Sequence, residues 1–458
     1  MFCQFVDNFY LCSDKKQEVR EVIEDMKKGF LLMAAMLIVL GAHAQKKWTL
    51  KECLDYAIEH NITLKQAKIR EQSAQEDVKQ SKAALLPTLS ASTNQGVGYS
   101  PFDESKADKT YYNGSYNVNA QWTVWNGGQN TNALKLNKLS AEQAVLSIHE
   151  TSNSIQESIT KLFVQILYMT EAIEVNRQSL ETSKKNEERG QTMVEVGKMS
   201  KADLAQLTAQ RAAGEYSIVE SETQLAKMKQ QLKNELKLLT EKNFDVAIPA
   251  TSDEQALAQI PSMISVYETA LTQRPEIRSA QLDVESSDIQ LKNAKAGHLP
   301  TVTLSGTAST STNSMSDVAW SQQMKNGLGL SASVGVNVPI IDGRKAKTAI
   351  RKAKLSQEQS KLQLESEEDN LYTTIEGLWL DAVNNQQKFI SASASVESEQ
   401  ASYDLLQEQF NLGLKNIVEL MTGKDKLLTA QQNKLQSKYT TILSQQLLKF
   451  YQGGEIKL

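Results

Sequence analysis

Proline is scarce in this chain. Only seven occur in 458 residues, and none lies between Asn126 and Pro249, so that long stretch carries no obligatory helix breaker. Cysteine is scarcer still: Cys3, Cys12 and Cys53 offer no disulfide framework and no CxxC pair. The four histidines, His43, His60, His149 and His298, are scattered and give no metal cluster. A net charge of -4 lacks the basic excess that nucleic-acid partners require. No GxSxG, HExxH or GxxxxGK motif is present, and the many carboxylates fall on long polar helical stretches where they read as solvated faces. An enzyme, a metal or a bound cofactor is therefore not expected. Disorder is also excluded, because 40% of the residues are hydrophobic.

One apolar run carries an address. "MKKGFLLMAAMLIVLGAHAQ" opens with Lys27 and Lys28, passes through an apolar core from Phe30 to Leu40, and ends in Ala42-His43-Ala44 before Gln45. This is the layout of a secretory signal peptide at 26–44 with an A-x-A exit. Translation is then expected to begin at Met26, with 1–25 an annotation extension, and the mature chain keeps one thiol, Cys53. A glutamine rather than a cysteine after the cut argues against a lipoprotein. Past the leader no apolar run reaches about 18 residues, so no transmembrane helix is offered.

The rest of the chain is written twice. Ala57 in "LDYAIEHN" and Pro87 in "ALLPTLS" return 213 positions on as Ala270 in "YETALTQRP" and Pro300 in "GHLPTVTLS". Gly127 and Gly197 return 216 positions on as Gly343 and Gly413. A first repeat at 45–240, a linking segment at 241–262 and a second repeat at 263–458 follow. In each repeat a Lys-, Glu- and Gln-rich helical stretch runs into a Leu-Pro step, which disfavours helical dihedrals and acts as a stop. The first such helix is expected from Thr49 to Leu86.

Strands follow each stop, within 87–126 and 300–342. In "TVTLSGTAS" Thr301, Thr303, Ser305 and Thr307 oppose Val302, Leu304, Gly306 and Ala308. In the return strand Tyr116, Val118, Ala120, Trp122 and Val124 oppose Asn117, Asn119, Gln121 and Thr123, and its counterpart, expected from Leu328 to Ile340, puts Leu328, Leu330, Ala332, Val334, Val336, Val338 and Ile340 on one face. Asn126 and Asp342, each followed by glycine, then sit where a helix N-cap is wanted.

The helices beyond have a sustained seam. Val145, Ile148, Ile155, Ile159, Leu162, Ile166, Met169, Ile173 and Leu180 keep 3-and-4 spacing, and 216 positions on most of them become Leu364, Leu371, Ile375, Leu378, Ala382, Phe389 and Val396. A second stripe, Phe163 and Leu167 with Trp379 and Val383, predicts packing on two sides. Gly127 to Val196 predicts a helix of roughly 105 Å, and the shorter helices, Thr49 to Leu86 and Ser200 to Leu239, predict roughly 57 and 60 Å. No ordinary globular core is that long; two short staves stacked end to end match one long one.

Four strands with one apolar and one polar face, in a secreted chain without a membrane helix, suit a barrel wall with lipid outside and water inside. Known barrels begin at about 8 strands, so four require oligomerisation. Each strand pair is a hairpin, which sends every helix to the same side of the membrane. A soluble sheet on a periplasmic coiled-coil scaffold is the other reading of the same pattern.

The doubled helix-Pro-strand units, the strand-to-helix turns "VWNGGQ" and "IIDGRK" and the helix-hairpin turns "EVGKMSKADLAQ" and "NLGLKNIVELMT" together resemble the TolC-type outer-membrane efflux protein family over essentially the whole mature chain. The resemblance implies a mainly α fold with a transmembrane β portion: a long coiled-coil helical barrel continued into a β-barrel shared by three chains, four strands each. It implies an exit duct in the outer membrane of a Gram-negative bacterium, part of a tripartite efflux or type I secretion system. The partners implied are a periplasmic adaptor, an inner-membrane RND-type or ABC transporter and outer-membrane lipid. It also puts the adaptor-docking tip at Gly197, Lys198, Met199, Gly413 and Leu414, where the glycines could equally serve the turns alone. The acids six residues on, Asp203 and Glu419, fall at the family's aperture, where Glu419 would form a ring of three; a solvated helix-face carboxylate is the alternative. Some relatives carry a second acid one turn later, but Thr422 stands there, and Lys415 takes the place of a basic gate residue.

Overall fold

The computed structural model describes residues 47–102, 109–238, 244–249 and 251–458. The leader at 26–44 and the extension before it lie outside the described residues. In chain order the elements are β1 (Lys47–Trp48), α1 (Leu50–His60), α2 (Ile62–Ala83), β2 (Thr88–Tyr99), β3 (Thr110–Trp125), α3 (Gln129–Glu195), α4 (Lys201–Glu235), β4 (Asp245–Val246), α5 (Asp253–Ala256), α6 (Met263–Gln273), α7 (Pro275–Ala296), β5 (Thr301–Asn313), α8 (Trp320–Asn326), β6 (Gly329–Asn337), α9 (Lys345–Asn411) and α10 (Ile417–Tyr451). They fall into two compact units. Of the described residues the smaller takes in 47–49, 238 and 244–248; in it β1 pairs in parallel with β4, and the Trp48 and Phe244 rings lie 6.3 Å apart. The larger unit holds everything else.

Within that unit the two repeats match closely. α3 and α9 are 67 residues each, about 100 Å at the helical rise, and α4 and α10 are 35 each. Ile155, Ile159, Ile166, Ile173 and Leu180 of the seam are buried, and so are Phe163 and Leu167 of the second stripe. The same seam in α9 buries Leu371, Ile375, Ala382 and Phe389. Several apolar residues elsewhere on α9, among them Leu355, Leu362 and Leu405, stay exposed.

The single helix expected from Thr49 to Leu86 is two. Asn61 is extended, at φ -61 and ψ 129, and its Oδ1 accepts hydrogen bonds from the amides of Thr63 (2.8 Å) and Leu64 (3.3 Å), so it caps α2 and ends α1. Arg274, 213 positions on, makes the same break between α6 and α7; Pro275 forces its extended backbone and then starts the next helix. The expected caps of the long helices also move. The cap residues are Gly128 and Arg344, both left-handed, while Asn126 and Asp342 act from two positions upstream. Asp342 accepts from the amides of Arg344 (2.9 Å) and Ala346 (2.7 Å).

The four larger strands form one antiparallel sheet in the order β2-β3-β5-β6. Its register aligns Leu89, Ala120, Gly306 and Ala332 in one row and Ala91, Val118, Ala308 and Leu330 in another, with Ser90, Asn119, Thr307 and Ser331 between them. Side chains alternate across a strand, so one face of the sheet is apolar and the other carries Ser, Thr and Asn. A bulge between Thr123 and Trp125 shifts the end of β3, so Val124 leaves the alternation expected of it. β6 stops at Asn337 instead of Ile340. Its last partner is Thr301, and the next residue of the neighbouring strand, Pro300, has no N–H to offer.

Residues 251–262 are strapped to the long helices. Asp253 receives Lys434 (2.9 Å) and Lys438 (3.1 Å), Gln386 donates to the carbonyls of Ala256 and Ala258 (both 2.9 Å), and Trp379 Nε1 donates to Pro261 O (3.1 Å).

Candidate pore wall and aperture

The sheet can act as a wall because its apolar face is open. Leu89 is 75% exposed and Leu330 78%, a poor arrangement in water and a good one against acyl chains. On the opposite face polar side chains bond to one another: Ser305 Oγ lies 2.7 Å from Ser333 Oγ, and Thr307 Oγ1 donates to Asn119 Oδ1 (3.1 Å). No helix among the described residues is long and apolar enough to cross a membrane.

The far ends of the long helices form two hairpin tips of the same design. At the first, Gly197 has φ +71; its amide donates to Val194 O (3.0 Å) and that of Lys198 to Met193 O (2.8 Å). At the second, Gly413 has φ +73; its amide donates to Phe410 O (3.0 Å) and that of Leu414 to Gln409 O (2.9 Å). These are Schellman turns, which need a left-handed residue at the glycine position. Each following helix is then capped by a side chain, Ser200 or Asn416, bonded to the acid of its first turn. Ser200 Oγ accepts from the Asp203 amide (3.0 Å) and donates to Asp203 Oδ2 (2.8 Å). Asn416 Oδ1 accepts from the Glu419 amide (2.9 Å), and Glu419 Oε2 accepts from the Asn416 amide (3.4 Å), a complete capping box.

Lys415 completes this constellation. Its Nζ donates to Glu419 Oε1 at 2.7 Å within one turn of helix. That bond, with the bond from the Asn416 amide, holds the Glu419 carboxyl below the usual carboxylate range. Both partners remain well exposed, so the pair adds little to stability. Gly197, Lys198, Gly413 and Leu414 lie at the exposed crests, whereas Met199 is partly buried and packs on the core beneath them, which includes Leu207, Phe410, Ile417 and Leu420.

Behind the tips lies a lock between the repeats that sequence reading did not find. Lys424, on α10, is buried and its Nζ donates to Ser183 Oγ on α3. Burial pushes the ammonium down to about 8. Asn186 Nδ2 reaches Tyr403 OH (3.5 Å), and that hydroxyl donates to Gln407 Oε1 (2.9 Å). Within each hairpin a glycine brings the two helices close. A Cβ on Gly190 would stand 2.5 Å from Leu207 Cδ1, and one on Gly423 2.6 Å from Leu406 Cδ1. These pairs are 216 positions apart with roles exchanged, glycine on the first helix in one repeat and on the second in the other. A glycine facing a leucine was the available signal, but it appears only once the hairpins are aligned.

The family model described as outer membrane efflux protein matches residues 53–236 and 266–454, one segment in each repeat. The outer membrane efflux protein BepC of Brucella suis biovar 1 is 20% identical over 422 residues, covering 90% of this chain and 88% of that one. The outer membrane protein TolC of Vibrio cholerae is 22% identical over 443 residues, covering 92% and 94%. Among solved structures, the outer membrane protein VceC of Vibrio cholerae superposes with a TM-score of 0.74 at 16% identity, over 89% of this chain and 97% of that one. With both repeats matched and relatives aligned over nine-tenths of its length, the chain belongs to the outer membrane efflux protein family, a transport family of the Gram-negative outer membrane.

Proposed function

We propose that three copies of this chain close a twelve-stranded barrel in the outer membrane, continued by a periplasmic tube of helices that serves as the exit duct of a tripartite efflux or type I secretion system. The observation that carries this is the open sheet. Among the described residues β2 and β6 each pair along one edge only, and the sheet's apolar face is uncovered. An open edge of this length is a template for another strand, and closure with further copies satisfies both edges at once. The exposed apolar residues of α9 ask for neighbouring helices in the same way.

The hairpin tips are the docking surface for a periplasmic adaptor, through which an inner-membrane RND-type or ABC transporter delivers cargo. Gly197, Lys198, Gly413 and Leu414 make that contact, and Met199 supports it from beneath. At the aperture three Glu419 carboxylates ring the axis and favour cations; Asp203 stands at the matching helix start of the first repeat. Lys415 tempers the ring by pairing with Glu419 within its own chain. No chemistry is done on the cargo.

Purified protein reconstituted in planar bilayers tests this. Stepwise conductance with cation preference is expected. A protein that conducts nothing and washes off membranes with carbonate would instead be a periplasmic coiled-coil scaffold.

A further inference from the structure

The connection between β5 and β6 does not hang free at the end of the sheet. It folds back as α8, and two contacts fix the face on which α8 lies. The Trp320 ring meets Tyr116 edge-on, with centroids 6.3 Å apart at 86°. Thr310 Oγ1 donates to Met324 O at 3.0 Å. Tyr116 and Thr310 are register partners on β3 and β5, two residues from Val118 and Ala308 respectively, so both belong to the apolar face. Gln323 fastens the helix further. Its Oε1 accepts from the Asn313 amide (2.7 Å), and its Nε2 donates to the carbonyls of Asn313 (3.1 Å) and Val318 (2.6 Å).

The helix thus covers part of the apolar face and presents new apolar surface of its own. Trp320 is 58% exposed and Val318 41%, although they sit on an anchored element. They are continuous with an aromatic zone on the same face at the same end: Tyr112, Tyr116 and Tyr99, with Val97 between. Trp122 and Trp125 mark the opposite end of β3 on that face. Tyr112 to Trp122 spans ten residues, roughly 33 Å along a strand and about 25 Å across a bilayer at a tilt near 40°. This is the height of an apolar band between two aromatic girdles, and amphipathic rings at its edges sit at head-group level. Trp320, level with Tyr116, lies roughly 13 Å along the strand from Tyr112, inside that band and in its outer half.

We propose that the β5–β6 connection is a lipid-contacting element, with α8 lying on the outside of the barrel wall and Trp320 and Val318 embedded in the outer leaflet. The partner is lipid. Continuity with the exposed strand face selects it over protein, because α8 extends the surface that already meets acyl chains. This rests on the reading that the apolar face of the sheet is the lipid-facing wall.

The test is tryptophan quenching in liposomes that contain lipids brominated on their acyl chains. The chain has five tryptophans, Trp48, Trp122, Trp125, Trp320 and Trp379. The emission lost in Trp320→Phe, obtained as the difference from the native protein, reports Trp320 alone. Strong quenching by brominated lipid with weak quenching by aqueous iodide is expected. Quenching by iodide and not by lipid would put α8 in water, and quenching by neither would put it against protein; both overturn the proposal. Trp125→Phe is measured in parallel. If the Trp125 component is quenched by lipid and that of Trp320 is not, only the role of α8 fails; if neither is, the lipid-facing wall itself fails.

Discussion

The ammonium of Lys424 donates a hydrogen bond to the hydroxyl of Ser183, 241 positions away in sequence, and so ties the second hairpin of the chain to the first just behind the tips. Both residues are buried, and Asp425, the carboxylate that acts on the ammonium, is not strong enough to offset its desolvation. A buried charge held mainly by a neutral hydroxyl is costly.

That cost gives a pH dependence with a definite sign. Lys424 titrates near 8 in the folded chain and near its ordinary 10.5 when unfolded. Between these values the unfolded chain binds more protons, so stability rises as pH increases from about 8 to about 10.5 and is level below 8. The gain is at most about 3 kcal/mol. Lys424→Met removes the slope and raises the urea midpoint at pH 7. An unchanged slope in this variant would show that Lys424 is not its source.

The tip glycines act through backbone conformation alone. Gly197 and Gly413 have φ of +71 and +73, and a Cβ at either would meet nothing within 4 Å. Alanine at either position therefore costs about 1 kcal/mol of left-handed strain with no clash, asparagine less, and a β-branched residue more. Thermal unfolding of the three substitutions at Gly413 should rank asparagine, alanine, valine in decreasing stability.

Arg274 joins the turn between α6 and α7 to the end of α10. It pairs with Glu276 (2.8 Å) and Glu157 (3.5 Å) and lies 4.1 Å from the Tyr451 ring centroid. The side chain is 9% exposed. Removing it strands two partly buried carboxylates, so Arg274→Ala is expected to lose about 3 kcal/mol, and Arg274→Lys to recover part of the loss. Denaturant titration at neutral pH checks both.

Charge at the proposed aperture should be readable as selectivity. Glu419→Gln lowers the cation-to-anion permeability ratio, measured as a smaller reversal potential across a salt gradient. Lys415→Gln frees the carboxylate and moves the ratio the other way. Asp203→Asn, at the matching position of the first repeat, separates a general surface-charge effect from one specific to Glu419.

Much of this was legible in the residues. The repeat offsets of 213 and 216 located both strand pairs and both hairpin turns, because Leu-Pro stops and turn glycines are set by local backbone physics. The sustained seam located the buried faces of α3 and α9. What escaped was tertiary. Asn61 reads as one more polar helical residue until its side chain is seen to cap α2, and the end of β6 depends on Pro300 in a neighbouring strand. Lys424 resembles any other lysine of a polar helix; only the packing of α10 against α3, where Ser183 meets it, buries it. Likewise Trp320 stands in a Ser- and Asn-rich connection, and nothing in that connection tells which face of the sheet it will meet.

The shared barrel is the central claim, and the native mass of the particle extracted in mild detergent from washed outer membranes tests it most directly. Three chains per particle, resistant to salt and carbonate washing, is the predicted result. A single chain released by either wash would contradict it.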